Sequence, residues 1–327
     1  MKRVIGLGNA LVDVLTEIED EKILEDFALP KGSMQLVDAD FSNRVLRETS
    51  HLKQTHASGG SAANTIHGLA SLGVPVSFIG KVGKDEMGDF FHNDLKNHGI
   101  NPKLIRTDKE TGRAVAFITK DAERTFATYL GAAVELSADD ITDALLKDYD
   151  YLHIEGYLVQ NQKLLEHALK RAKALGLKVS LDLASYNVVE DNLDFLKEMV
   201  KAYVDILFAN EEEAKAFTGY DDPEKSLNLI ADIVDVAVVK IGKEGSLVKN
   251  EQEFYRIATD KVDSIDTTGA GDLYASGFLY GLASNLKLSS CGNIGSLLAS
   301  KVIQGMGAKI NSDKWDEILN KKKEFER

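Results

Sequence analysis

Four short apolar runs in the second half of this 327-residue chain, Tyr151 to Ile154, Val179 to Leu183, Asp205 to Phe208 and Val236 to Ile241, alternate with helix-like segments such as Gln162 to Leu175 and Asp191 to Tyr203. Strands buried on both faces read as brief continuous apolar stretches, and parallel neighbours need a long crossover between them. The alternation therefore predicts an α/β protein with a parallel sheet and crossover helices. Ligands of such sheets bind beyond the carboxyl ends of the strands. At or near those ends the chain carries Asn9, Asp182, Asn210 and Gly242, so its candidate polar residues converge on one edge.

The first half is less regular. Val4 to Leu7 reads as a buried strand ending in Gly8-Asn9. A dinucleotide-binding turn does not follow, because the third small residue of that fingerprint would fall at Leu11 and the chain continues as a second strand-like run. Asp13 stands alone in that run among Leu11, Val12, Val14 and Leu15. A carboxylate so placed needs a partner, and sugar hydroxyls are suitable donors; an outward-facing strand position is the plain alternative. Leu29 to Ser33 is a turn before the strand-like Met34 to Val37, Val76 to Val82 is strand-like, and Asp85 to His98 is helical. Between Ala57 and Gly73, Gly59 and Gly60 permit close backbone approach, and Ala63, Ile66, Leu69 and Ala70 mark the buried face of a helix. Asn64 falls in its first turn, where its amide serves either a ligand or a local backbone hydrogen bond. The β-like segments Val115 to Thr119 and Phe126 to Leu130, joined by the polar Lys120 to Arg124, predict a hairpin. Such a hairpin can close over a ligand and exclude water.

The stretch Asp266 to Gly281, DTTGAGDLYASGFLYG, carries the chemistry. Gly269, Ala270 and Gly271 keep bulky side chains away from the backbone, so their N–H groups can converge on an anion. Ala275, Phe278, Leu279 and Leu282 recur at helical spacing just after them, which puts the turn at a helix N-terminus, where unpaired N–H groups favour negative charge. Asp272 at the helix start suits a base beside a phosphate cradle, and the same residues would also serve as a plain cap and tight turn. Asn210 and Glu213 in NEEEA lie at i and i+3 and suit a hydrated magnesium ion, or a helix cap followed by solvated acids. Lys240 to Gly245 is a strand running into a glycine-rich turn.

Charge narrows the partners. A formal net charge of −13 argues against nucleic acid, so any bound phosphate must be held by local donors and a metal ion. The seven histidines show no metal-ligand spacing, and no Walker A sequence is present. The single Cys291 fits a reducing compartment and a packing role. Asn9 and Asp13 interrupt the apolar start, which rejects a signal peptide, and no run of about 18 apolar residues marks a membrane helix. A cytoplasmic protein is expected.

GGSAANT in the N-terminal third and DTTGAGD in the C-terminal quarter, with NEEEA and KIGKEG in order between them, resemble the signatures of the PfkB (ribokinase-like) family of carbohydrate and nucleoside kinases. The resemblance spans essentially the whole chain. It implies a three-layer α/β/α sandwich, one kinase domain over residues 1–327, with a small β-sheet lid inserted at about 11–38 and 113–131. It implies transfer of the γ-phosphoryl group of ATP, with Mg2+, to a sugar hydroxyl, often a primary hydroxymethyl. Asp272 resembles the general base, and Gly269, Ala270 and Gly271 the anion hole. Asn9, Asp13, Gly60 and Asn64 resemble the groups that hold the sugar. Asn210 and Glu213 match the motif that organises magnesium through water, and Asp182, Lys240, Gly242 and Gly245 resemble nucleotide contacts. Asp266 and Thr268 match positions that in some relatives line a monovalent-cation site such as K+, while Gly305 and Gly307 match its C-terminal partners loosely.

GNALVDVL with LPKGSMQLVD is similar to the adenosine-kinase branch, which favours a nucleoside or ribose-like acceptor, with base recognition by side chains such as Met34, Phe117 and Tyr129. A fructose-type or phosphosugar acceptor is kept open by Arg113 and Arg124. A non-catalytic sugar or nucleotide sensor on the same fold is the rival from another class. The expected assembly is a monomer or a homodimer through the lid.

Overall fold

The computed structural model describes residues 1–120 and 123–326. Its strands, in chain order, are β1 (Val4–Leu7), β2 (Leu11–Glu17), β3 (Met34–Leu36), β4 (Gln54–Gly59), β5 (Val76–Gly83), β6 (Asn101–Thr107), β7 (Gly112–Ile118), β8 (Arg124–Tyr129), β9 (Tyr151–Glu155), β10 (Lys178–Asp182), β11 (Ile206–Asn210), β12 (Val236–Lys240), β13 (Ser246–Lys249) and β14 (Phe254–Ile257). Nine of them form one sheet in the order β14-β13-β12-β11-β10-β9-β1-β5-β6. Pairing is parallel from β12 to β6 and antiparallel only at the β12-β13-β14 edge.

Alternation along these strands fills two cores. Val4, Phe78, Ile206 and Phe208 face one side with the helices Ser61–Ser71, Ala270–Ala283 and Leu288–Val302. Ile5, Leu7, Leu152, Leu181 and Leu207 face the other with Gln162–Ala174 and Leu193–Tyr203. The result is the expected ribokinase-like three-layer sandwich. Between β1 and β9 the strand order reverses direction, and a crevice opens there at the carboxyl ends.

The helix Ala270–Ala283 is buried on nearly all sides, where spacing alone predicts one apolar stripe. Its glycines let neighbours approach. A Cβ on Gly277 would lie 2.5 Å from the Ile294 carbonyl, and one on Gly281 2.6 Å from Cys291 Sγ. Cys291 is accordingly a buried packing thiol, its pKa pushed up to about 12 by burial.

The smaller sheet has the order β3-β8-β7-β2-β4. β7 and β8 form the expected hairpin, antiparallel with Arg113 opposite Tyr129. Asp121 and Ala122, in its predicted turn, lie outside the described residues. β4 has no counterpart in the sequence pattern: it is an edge strand, exposed at Thr55 and His56, with little apolar surface to betray it. The helix expected over 191–203 is present as Leu193–Tyr203, and a further short helix, Tyr186–Asp191, precedes it. Among the described residues no helix is long and apolar enough to cross a membrane.

Candidate active site

The helix Ala270–Ala283 starts at Gly269, whose φ of +77° suits glycine and which no side chain caps. A Cβ there would also meet Ala308 Cα at 2.6 Å. The first N–H groups of the helix have no intrahelical acceptors, and among the described residues only that of Ala270 finds a nearby carbonyl, on Thr267. Gly271 turns its open side to the Lys240 ammonium, which a Cβ would approach to 3.0 Å.

Asp272 sits where two helix starts meet. Ser61 Oγ donates to its Oδ1 at 2.7 Å and Asn64 Nδ2 to its Oδ2 at 2.9 Å. Thr65 Oγ1 donates to its carbonyl at 3.1 Å, so the residue is fixed at both its side chain and its backbone. Burial raises its pKa to about 6, with the two hydrogen bonds pulling the other way. Asn64 keeps one buried atom, Oδ1, without a hydrogen-bond partner among the described residues.

On the acceptor side, Asp13 lies half-buried on β2 against Gly59, where a Cβ would meet its Oδ1 at 2.3 Å. Burial pushes its pKa to about 7, and the charges of Lys309 and Arg124 oppose that rise. Gly60, at φ +101°, passes so close to Asn9 that a Cβ would lie 2.2 Å from its carbonyl oxygen. Asn9 is held by Glu155 at the end of β9, whose Oε1 accepts from the Asn9 N–H at 2.9 Å and from Nδ2 at 2.6 Å. The other oxygen of Glu155 accepts the Ala62 N–H at 2.9 Å. This buried carboxyl, raised to about 7 by burial, ties the ends of β1 and β9 to the start of the helix Ser61–Ser71.

Beyond Asp272 lies a cavity of about 640 Å³ lined by Tyr157, Asp182, Asn210, Glu213, Lys240 and the Gly269–Gly271 turn. Lys240 Nζ lies 2.8 Å from Asp182 Oδ2. Burial opposes its charge, but the carboxylates of Asp182, Glu213 and Asp272 outweigh that and raise its pKa. Asn210 and Glu213 form a reciprocal capping box: Asn210 Oδ1 accepts the Glu213 N–H at 2.8 Å, and Glu213 accepts from Asn210 N and Nδ2 at 2.8 and 2.7 Å. The cap is thus real, but the acid is buried, not solvated, its pKa raised to about 7 by burial and then Asp182. Gly242, at φ +53°, faces open space: a Cβ there would find only Glu211 Oε2 nearby, at 3.9 Å. Gly245, although it lines the cavity, is required first by folding, since a Cβ would sit 1.9 Å from the Ile257 carbonyl. Asp182, Glu213 and Asp272 here neutralise the Lys240 ammonium, and the oxygens of Asp182, Asn210 and Glu213 would meet a divalent cation only through its water, alongside the phosphates it brings.

A second cavity, of about 540 Å³, adjoins through Tyr157, which lines both. Its lining is mixed: Leu130, Ala133, Val134, Leu136 and Leu158 make an apolar part, and Asn9 with the polar run Gln160 to Lys163 makes the rest. The side chains expected from the sequence to recognise a base do not line it. Phe117 is fully buried and stacks on Phe27, Tyr129 lies beneath Arg113, and Met34 is 54% exposed on the edge strand β3. Arg113 is committed to Ser42, Asn43 and Glu110. Arg124 is buried and ion-paired with Asp266 at 2.8 Å. The Asp266 carboxylate also accepts the N–H groups of Thr268 at 3.0 Å and Gly307 at 2.7 Å.

Asp272, Asn64, Asn9, Asp13 and Gly60 thus gather at one crevice, with Asp182, Asn210, Glu213, Lys240 and Gly242 beside it. Ser61, which lies inside the GGSAANT signature but has no expected role there, joins them, as do Glu155, Tyr157 and Lys309, which no motif marks. The strand-end rule that finds Asn9 and Asp182 would also find Glu155, which closes the apolar run of β9.

Such a fold, with a helix start opening on a crevice at the switch point, defines the ribokinase-like α/β phosphotransferases. The family model described as pfkB family carbohydrate kinase matches residues 35–315, and the chain belongs to that family, whose members phosphorylate hydroxyl groups and are expected to bind ATP, typically with Mg2+. Its structure superposes on an adenosine kinase from Sinorhizobium meliloti with a TM-score of 0.85 at 34% identity, covering 98% of this chain and 99% of that one. A probable sugar kinase from Rhizobium etli gives 0.86 at 33% identity over 98% of both chains. The adenosine kinase of Saccharomyces cerevisiae is 29% identical, over 95% of this chain and 97% of its own length.

Proposed function

We propose that this protein transfers the γ-phosphoryl group of ATP to the primary hydroxyl of a ribonucleoside. The observation that carries the acceptor is the second cavity. A free pentose or hexose would satisfy Asn9 and Asp13 but leave the walls of Leu130, Ala133, Val134, Leu136 and Leu158 wet, whereas a planar base would cover them beside the Tyr157 ring. The likeness to two adenosine kinases supports the same reading. A phosphosugar is disfavoured because Arg113 already has its partners.

The geometry supports the following roles. Asp13 and the free Oδ1 of Asn64 accept hydrogen bonds from ribose hydroxyls, and Asn9 and Gly60 shape the same wall. Asp272, ionised at neutral pH and oriented by Ser61 and Asn64, takes the proton from the attacking hydroxyl. The N–H groups of Gly269, Ala270 and Gly271 with the Lys240 ammonium stabilise charge on the transferring group. Asp182, Asn210 and Glu213 would hold the magnesium of MgATP through water, with Gly242 and Gly245 lining the nucleotide's side; the metal supplies neutralisation of phosphate charge. The two sheets act as the body and lid of one kinase unit, the hairpin β7-β8 closing over the acceptor.

The test is ATP consumption with magnesium across adenosine, other nucleosides, ribose, fructose and fructose phosphates. Turnover with a nucleoside well above that with the free sugars supports the reading. Turnover with fructose or a fructose phosphate and none with nucleosides refutes it.

A further inference from the structure

We infer that the Arg124 guanidinium takes the electrostatic place of a monovalent cation at Asp266, so that this chain works without K+. The inference rests on the kinase reading above and concerns the same site. A K+ site needs several oxygen ligands turned inward, and the groups around Asp266 are of the wrong kind. Gly307, from the C-terminal loop, presents its N–H and not its carbonyl, donating to Asp266 Oδ2 at 2.7 Å. Thr268 likewise donates its N–H, to Oδ1 at 3.0 Å. The carbonyls nearby are already engaged. Ile303 accepts from the N–H groups of both Ile265 and Asp266, Val302 accepts from Gly305, and Gln304 accepts from the Lys314 ammonium.

The charge that a cation would bring is present as protein. Arg124 Nη2 lies 2.8 Å from Asp266 Oδ2, with both side chains only 7% exposed. A guanidinium is never deprotonated at working pH, so the position is permanently positive. A second cation beside it would meet repulsion with little water to screen it. The contact is a charge pair and not an aligned hydrogen bond, since Nε and Nη2 of Arg124 are buried without hydrogen-bond partners among the described residues. The same device recurs nearby. His67, Asp94 and His98 bring their ligand atoms within 4.8 Å of one another, a grouping fit for a metal, but the Lys309 ammonium stands among them, 2.9 Å from Asp94 and 3.3 Å from His67. Both cationic side chains also act on Asp13.

The experiment compares KCl with tetramethylammonium chloride at equal ionic strength. Thermal unfolding of the MgATP-loaded protein and thallium-205 NMR report cation binding directly, and turnover is read alongside. The wild type should show no Tl+ binding, a Tm within about 1 °C in the two salts, and turnover within about twofold. Arg124→Met, which strips the counter-charge from Asp266, should lower Tm and turnover in both salts alike, because no oxygen cage is left for K+ to fill, and Arg124→Lys, which keeps the charge, should recover part of both. Tl+ binding to the wild type, or activation by K+ of about tenfold or more, overturns the inference. So does an Arg124→Met variant that matches the wild type in Tm and turnover in both salts. Absence of turnover in every salt would count against the kinase reading alone, because the unfolding and thallium measurements still decide this point.

Discussion

At the residue scale, the proposed chemistry needs the charge of carboxyl groups whose burial makes that charge costly to the fold. Asp272 has its pKa raised to about 6 and Asp13 to about 7, both chiefly by burial. Asp272→Asn keeps the shape and removes the base, so turnover should fall by about two to four orders of magnitude with MgATP binding retained. The pH profile should separate the two acids. As pH falls through about 7, Asp13 takes up a proton and KM for the acceptor rises; through about 6, Asp272 is protonated and kcat falls. A kcat flat down to about pH 5 would remove Asp272 from its role. Stability should move the opposite way. Asp13, Glu155 and Glu213, each raised to about 7, bind protons more readily folded than unfolded, so the stability they lend is full below the ordinary carboxylate range and lost as pH rises through about 7. His67 and His153 are depressed by burial to about 3 and 4, and they oppose this mainly as pH falls below the ordinary histidine value of about 6.5. The ligand-free protein should therefore unfold at a higher temperature at about pH 6.5 than at about pH 8, and a Tm that climbs between those two values would contradict the assignment.

At the scale of elements, helix packing and the small sheet make separate demands. The helix that carries Asp272 packs through Gly277 directly on the backbone of the next helix, with no room for a methyl group. Gly277→Ala should cost about 1–3 kcal/mol in urea unfolding, by forcing the two helices apart. An unchanged midpoint would mean that the packing relaxes freely. The small sheet is expected to move. If β7 and β8 close over the acceptor, amides in Gly112–Ile118 and Arg124–Tyr129 should gain protection from hydrogen exchange when nucleoside and nucleotide are both bound. Unchanged exchange at saturation would leave the sheet a fixed wall.

For the whole molecule, what was legible in the sequence follows from periodicity. The central strands of the large sheet, β1, β5 and β9 to β12, are buried and stand out as apolar runs, whereas the edge strands β6 and β14 have too little buried surface to do so; Asp272 follows directly on a Gly-Ala-Gly turn at a helix start. The acceptor cavity was not legible. Its walls come from the short 3-10 turns Gly131–Glu135 and Gly156–Gln160, which have no side-chain period, and from Tyr157, which no motif marks. Glu155 reaches Asn9 across 146 positions of chain, a contact that only the strand order brings about. β4 escaped because an exposed edge strand needs no apolar face.

In the proposed reaction Asp272 takes the proton from the hydroxyl of a nucleoside seated across the two cavities as that hydroxyl attacks the γ-phosphoryl group of ATP. The most direct test is phosphorus NMR of the products formed from MgATP and adenosine by the wild type and by Asp272→Asn. The wild type should give ADP and a 5′-phosphorylated nucleoside, and the variant neither at a comparable rate. Equal rates in the two proteins, or phosphorylation of free sugars with nucleosides left untouched, would contradict it.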